Sequence, residues 1–72
     1  MSLTILLNGT TRSFPDLAEE RASVLELIHT LGLQQDRVAL ERNGEILARA
    51  QWSTTPLAEG DRIELVHFVG GG

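Results

Sequence analysis

Ser23-Val24-Leu25-Glu26-Leu27-Ile28-His29-Thr30-Leu31-Gly32 is the stretch on which the fold turns. Ser23 and Glu26 have the spacing of a capping box: the Ser23 side chain accepts from the Glu26 amide, and the Glu26 side chain reaches back to the Ser23 amide. Val24, Leu27, Ile28 and Leu31 stand at i, i+3, i+4 and i+7, a single apolar helical stripe. Gly32 supplies the left-handed stop, and Leu33 folds back onto the last turn. The spacing predicts a helix of about nine residues, too short to hold by itself, so its stripe must lean on a sheet.

The sheet is legible on both sides of that helix. Upstream, Leu3 to Asn8 reads as a strand with Leu3, Ile5 and Leu7 on one face. Asn8-Gly9 tolerates the positive φ angles of a two-residue type I′ turn. Thr10 to Phe14, rich in β-branched and aromatic residues, is the return strand, and Pro15 ends it. Downstream, Val38 and Leu40 alternate with Ala39 and Glu41 in a third strand that runs into Asn43-Gly44, a second turn signal. Ile46 and Leu47 suggest a short return. Ala50 to Pro56, which holds Trp52, has no clear period and is expected to be irregular. Glu59-Gly60-Asp61 is a tight turn before the last strand, Arg62 to Val69, where Ile63 and Leu65 face one way and Arg62 and Glu64 the other. The order is β-β-α-β-(β)-β. A first hairpin, a crossover helix and a late strand returning to the sheet centre give an α+β roll of the ubiquitin-like β-grasp kind, a small mixed sheet packed on one main helix.

With 72 residues and 7.9 kDa, the chain is expected to form one domain over residues 1–72, with Gly70 to Gly72 as a flexible tail. A fold of this size buries only about 60% of the surface its unfolded chain exposes. That leaves too little core to wall an active-site cleft. Ten acidic side chains against six arginines, with no lysine, give a formal charge of −4. The sign argues against nucleic acid, whose binders carry basic stripes, and against anionic lipid. No apolar run of about 18 residues and no basic leader stand in the sequence, so no membrane span is expected and the cytoplasm is the expected location. Cysteine is absent. Disulfides, zinc knuckles, iron–sulfur ligation and any cysteine-borne sulfur chemistry go with it.

No catalytic constellation and no metal set stand in the sequence. His29 sits off the helical stripe and is expected to be solvated or capping. His67 shares parity with Ile63 and Leu65, which places it at the edge of the core. Glu19-Glu20 reads as a solvated pair in a loop, and Glu59 with Asp61 as part of a turn. The glycines punctuate turns and form no phosphate-binding loop. The end of the chain is different. Gly70-Gly71-Gly72 follows Val69 with no polar spacer. A frayed terminus is the plain alternative, but glycine lacks a Cβ, so such a tail can lie extended against another protein's backbone. Three glycines carry the α-carboxylate roughly 10 Å clear of the domain.

Asn43-Gly44-Glu45, Trp52, Leu57-Ala58-Glu59-Gly60-Asp61-Arg62-Ile63-Glu64-Leu65-Val66 and Val69-Gly70-Gly71-Gly72, with Asn8-Gly9 behind the first strand, resemble the sulfur-carrier family of thiamine biosynthesis over nearly the whole chain. The resemblance implies a carrier, not an enzyme. In that family an adenylating enzyme uses Mg-ATP to turn the terminal glycine carboxylate into an acyl-adenylate, and sulfur from a persulfide donor displaces AMP. Thiazole synthase takes the sulfur from the resulting thiocarboxylate. Gly72 would be the modified residue, Gly70 and Gly71 would fill the partner's channel, and the chain itself would bind no cofactor. The small subunit of molybdopterin synthase shares the fold, tail and activation chemistry, but it often carries proline before the final glycines and is usually longer. Here His67-Phe68-Val69 holds that place, and the prolines are Pro15 and Pro56. A ubiquitin-like modifier joined to amines and a plain binding module are the further alternatives.

The outward side of the last strand is the expected docking patch. Val66 and Phe68 share parity with Arg62 and Glu64, so two apolar groups would stand exposed beside the tail, with Arg62 on the same face. The alternative is a twist that tucks Phe68 into the core.

Overall fold

The computed structural model describes residues 3–15, 17 and 22–68. Val69, the Gly70 to Gly72 tail and the Glu19-Glu20 pair lie outside them. The elements are β1 (Leu3–Leu7), β2 (Thr10–Phe14), α1 (Val24–Thr30), β3 (Val38–Arg42), β4 (Glu45–Ile46) and β5 (Arg62–His67). Single 3-10 turns stand at Gln35–Arg37 and Arg49–Gln51. The strands lie in the order β2-β1-β5-β3-β4. β5 is therefore central, parallel to β1 and antiparallel to β3. This is the β-grasp arrangement.

Both hairpins form as the sequence predicts. Asn8 and Gly9 have φ of 49° and 80°, and Asn43 and Gly44 have 53° and 88°. Positive φ at both central residues is the type I′ requirement, and it matches the right-handed twist of the flanking strands. The first strand ends at Leu7 because Asn8 already belongs to the turn. The helix spans seven residues, not nine, because its last apolar residue, Leu31, is the C-cap. Gly32 at φ 73° donates to the His29 carbonyl, and the Leu33 amide donates to the Ile28 carbonyl. These two bonds are a Schellman motif. At the other end the Ser23 hydroxyl accepts from the Glu26 amide at 3.2 Å. The reciprocal half of the capping box is not formed; Ser23 instead makes an isolated bridge with Pro56.

One face of the sheet carries Leu3, Ile5 and Leu7, then Phe14 opposite Leu3, with Val38, Leu40 and Ile63, all buried. Val24, Leu27 and Ile28 of α1 close over them. Trp52 was expected in irregular chain, yet it is among the largest fully buried side chains. The Arg49–Gln51 turn swings it inward, and its indole N–H donates to the Leu47 carbonyl at 3.0 Å. A tryptophan can be buried at little cost only when that N–H finds an acceptor. Three further departures bear on function. The last strand, expected to run to Val69, ends at His67; Phe68 lies beyond it, and Val69 is outside the described residues. His67 is exposed, not at the core edge, because burial along that face of β5 fades from Ile63 through Leu65 before it reaches His67. Asp61 is no ordinary turn residue but is buried.

Candidate functional site

Ala39 and Glu41 of β3, Ile46 of β4, and Glu64 and Val66 of β5 point away from the helix, as the alternation of β-strands requires. Three apolar side chains on this outer side lie open: Ile46 is 81% exposed, Val66 59% and Phe68 49%. Phe68 is thus outside the core, and the twist that would have tucked it in does not occur. Its amide donates to the Arg37 carbonyl at 2.8 Å, which holds the backbone at the root of the tail. Ile46, Val66 and Phe68 line a shallow groove of about 320 Å³, with Glu41 and Glu64 at its edge.

Val66 and Phe68 come together as the sequence suggests, but Arg62 does not join them. It lies at the opposite end of β5, in a second hollow of about 190 Å³ between the two glycine turns at Gly9 and Gly44, which Glu41 and Glu64 also line. Ile46 takes the place beside Val66 and Phe68, and sequence reasoning missed it. The signal was present: a two-residue turn at Asn43-Gly44 pairs Arg42 with Glu45 and Glu41 with Ile46, so Ile46 inherits the outward parity of Glu41.

The position of β5 is set at its first residues. Asp61, 6% exposed, accepts from the Arg42 guanidinium and the Ala58 amide through Oδ2, both at 2.9 Å, and from the Asn43 side-chain amide through Oδ1 at 3.1 Å. The Asn43 side-chain oxygen in turn accepts from the Arg62 amide at 2.8 Å. On the other flank the Asn8 side-chain oxygen accepts from the Leu65 amide at 2.7 Å. Both turn asparagines thus clamp the strand that leads to the tail. Among the described residues no buried side-chain polar atom lacks a partner, and no group of three His, Asp or Glu side chains is placed to hold a metal ion. No helix among them is long and apolar enough to cross a membrane.

The sequence model of the ThiS family matches residues 5–72. This chain belongs to the ThiS family. A sulfur carrier protein ThiS of Bacillus subtilis is 35% identical over 54 residues, which cover 75% of this chain and 82% of the relative. A crystal structure of the thiamine biosynthesis protein ThiS from Geobacter metallireducens superposes with a TM-score of 0.79 at 35% identity, covering 97% of this chain and all of that one. A thiazole synthase of Magnetococcus marinus is 39% identical over 70 residues, 97% of this chain. This ThiS-family chain spans about a fifth of the length of that relative, 20%.

Proposed function

We propose that this chain is a sulfur carrier for thiazole formation in thiamine biosynthesis, and that the carboxylate of Gly72 carries the sulfur. The supporting observation is a family match that runs through the glycine tail to residue 72. The chemistry agrees with the composition. Without cysteine the chain has no thiol on which to hold sulfur. A carboxylate can hold it once a leaving group is installed. A partner adenylating enzyme joins the Gly72 carboxylate to the α-phosphorus of Mg-ATP, and pyrophosphate leaves. The terminal sulfur of a persulfide donor attacks the acyl carbon and AMP leaves; a thiol reductant then cleaves the resulting S–S bond, ends as a disulfide with the donor's sulfur or with a second thiol, and frees a thiocarboxylate. Thiazole synthase is the acceptor; a relative of that name containing a segment like this chain supports the pairing. ATP and magnesium belong to the adenylating partner.

The globular part offers a surface, and the tail offers reach. Ordering three glycines in a channel costs about 3–6 kcal/mol, which weakens docking and suits a carrier that must leave one enzyme for the next. The test uses the chain ending at Gly72, incubated with the adenylating enzyme, Mg-ATP, a persulfide donor and a thiol reductant, and read by intact mass. Exchange of one oxygen for sulfur adds about 16 Da. Deleting Gly72 keeps a glycine end but withdraws the carboxylate by ~3.5 Å. Misplacement on that scale removes the near-attack geometry, so activation is expected to fall at least ~100-fold with docking largely kept. A normal rate for the shortened chain would overturn Gly72 as the modified residue.

A further inference from the structure

Asn8-Gly9 and Asn43-Gly44 form the same two-residue turn, with φ of 49° and 80° in the first and 53° and 88° in the second. Both asparagines are exposed. A Cβ built on Gly9 or Gly44 would meet no other atom within 4 Å, and neither glycine amide donates a backbone hydrogen bond among the described residues. Each turn therefore sets a side-chain amide next to a main-chain nitrogen that nothing shields. The two differ in how the side-chain amide is held. Asn43 is fastened at both ends: its Oδ1 accepts from the Arg62 amide at 2.8 Å, and its Nδ2 donates to Asp61 at 3.1 Å. Asp61 is buried and is itself held by Arg42 and Ala58. Asn8 is fastened once, where its Oδ1 accepts from the Leu65 amide at 2.7 Å; its Nδ2 has no partner among the described residues.

We propose that Asn8 is a site of spontaneous covalent modification, deamidation at Asn8-Gly9, and that its bond to the Leu65 amide sets the rate. The Gly9 nitrogen gives up its proton to hydroxide and attacks the Asn8 side-chain carbonyl carbon. The bond from that carbon to Nδ2 breaks, and ammonia leaves. Water then opens the five-membered imide at either carbonyl. Opening at the side-chain carbonyl leaves aspartate; opening at the main-chain carbonyl leaves isoaspartate, with one more carbon in the main chain. Glycine favours the attack because it has no Cβ to block the approach to its nitrogen. The side-chain carbonyl carbon must swing onto that nitrogen, so every bond that holds the side-chain amide has to open first. One ordinary hydrogen bond slows the reaction about fivefold, and the second bond of Asn43, to a carboxylate, slows it by at least as much again. The turn conformation is common to both sites and does not separate them. Asn8 is therefore the faster. Isoaspartate at position 8 lengthens a turn whose two residues fix the register of β1 against β2, and it moves the acceptor that holds the Leu65 amide.

The experiment follows the free chain at mildly alkaline pH, folded and unfolded in guanidinium chloride, so its outcome is independent of the function proposed above. Cleavage after arginine puts the two sites in separate peptides, Met1–Arg12 and Asn43–Arg49. Exchange of the amide NH2 for OH adds about 1 Da to the peptide that has reacted. In the unfolded chain the two sites are expected to react within about twofold of each other, since both are followed by glycine. In the folded chain Asn8 is expected to react at least about fivefold faster than Asn43, and chains that carry isoaspartate at position 8 to lose protection of the Leu65 amide from exchange. Equal rates in the folded chain, or a faster Asn43, overturn the inference. So does the same preference for Asn8 in the unfolded chain, which would assign the difference to neighbouring residues and not to the clamps. An Asn8 left intact in the folded chain over the time in which the unfolded chain is fully converted overturns it as well.

Discussion

At its first residues β5 is tied from three sides: Asp61 gathers Arg42, Asn43 and the Ala58 amide, Asn43 takes the Arg62 amide, and Asn8 takes the Leu65 amide. Beyond Leu65 the same strand carries Val66 and Phe68 into the open, held on one side by β3 and by the Phe68 amide bond to Arg37. One end spends its polar groups on position, and the other leaves its apolar groups uncovered. The difference separates a fastened end of the strand from an open one. A 72-residue fold has little core to spare, so the strand that leads to the tail is located by hydrogen bonds and a half-buried ion pair. Alterations at the two ends should therefore separate stability from docking.

The largest effect is expected at the locked end. Asp61→Ala leaves the Arg42 guanidinium, the Asn43 amide and the Ala58 amide without their acceptor. Breaking a buried pair in this way costs several kcal/mol; with Arg42 still partly wetted, about 2–3 kcal/mol is expected here. For a domain of this length that is a fall in Tm of roughly 10 °C or more. The folded fraction should still dock and be activated normally at low temperature. Phe68→Ala is the reverse case. Its ring is half exposed, so Tm should hardly move, while binding to the adenylating enzyme should weaken by ~2 kcal/mol, about 30-fold. Calorimetry of both variants, free and with the enzyme, reads the two quantities side by side. Loss of docking in Asp61→Ala at full folding, or normal docking in Phe68→Ala, would dissolve the division of the strand into a locating end and a presenting end.

How much of this was legible in the sequence follows the same division. The hairpins were readable because Asn-Gly is a local signal with a local cause, the positive φ at both positions. The helix was readable from its 3.6-residue stripe, and its shortfall of two residues came from the Schellman cap turning earlier than the stripe implied. The exposure of Val66 and Phe68 followed from parity. What escaped needed contacts between distant residues. Asp61 looks like any acidic residue after Glu59-Gly60 until Arg42 and Asn43, 19 and 18 positions away, are brought beside it. Trp52 has no periodic neighbours to announce it, because a single 3-10 turn and one carbonyl place it. Arg62 shared the parity of Val66 and Phe68, but parity gives a face and not a position along it. It therefore stands at the far end of the strand, beside the glycine turns.

The smallest expected effect compares the two turn asparagines, which hold the same local conformation and differ in what their side chains reach. Glycine adopts φ near +50° freely, so Asn8→Gly and Asn43→Gly remove side-chain bonds without straining the turn. The added flexibility of the unfolded chain is common to both and cancels in their difference. Asn43 loses two partners, the Arg62 amide and Asp61, so about 2 kcal/mol is expected; Asn8 loses one, the Leu65 amide, so about 1 kcal/mol. The consequence at Asn8 is directional. β1 has already turned away beyond Leu7, and the Asn8 side chain is the last group on that flank to accept from β5. Removing it should raise amide exchange at Leu65 about fivefold, the factor that corresponds to ~1 kcal/mol, while Ile63 inside the ladder stays protected. The unfastened strand end should also loosen docking slightly, since Val66 and Phe68 lie just beyond it. Equal losses of stability for the two variants, or unchanged exchange at Leu65, would show that the side-chain clamps are incidental and that backbone pairing alone places the end of β5.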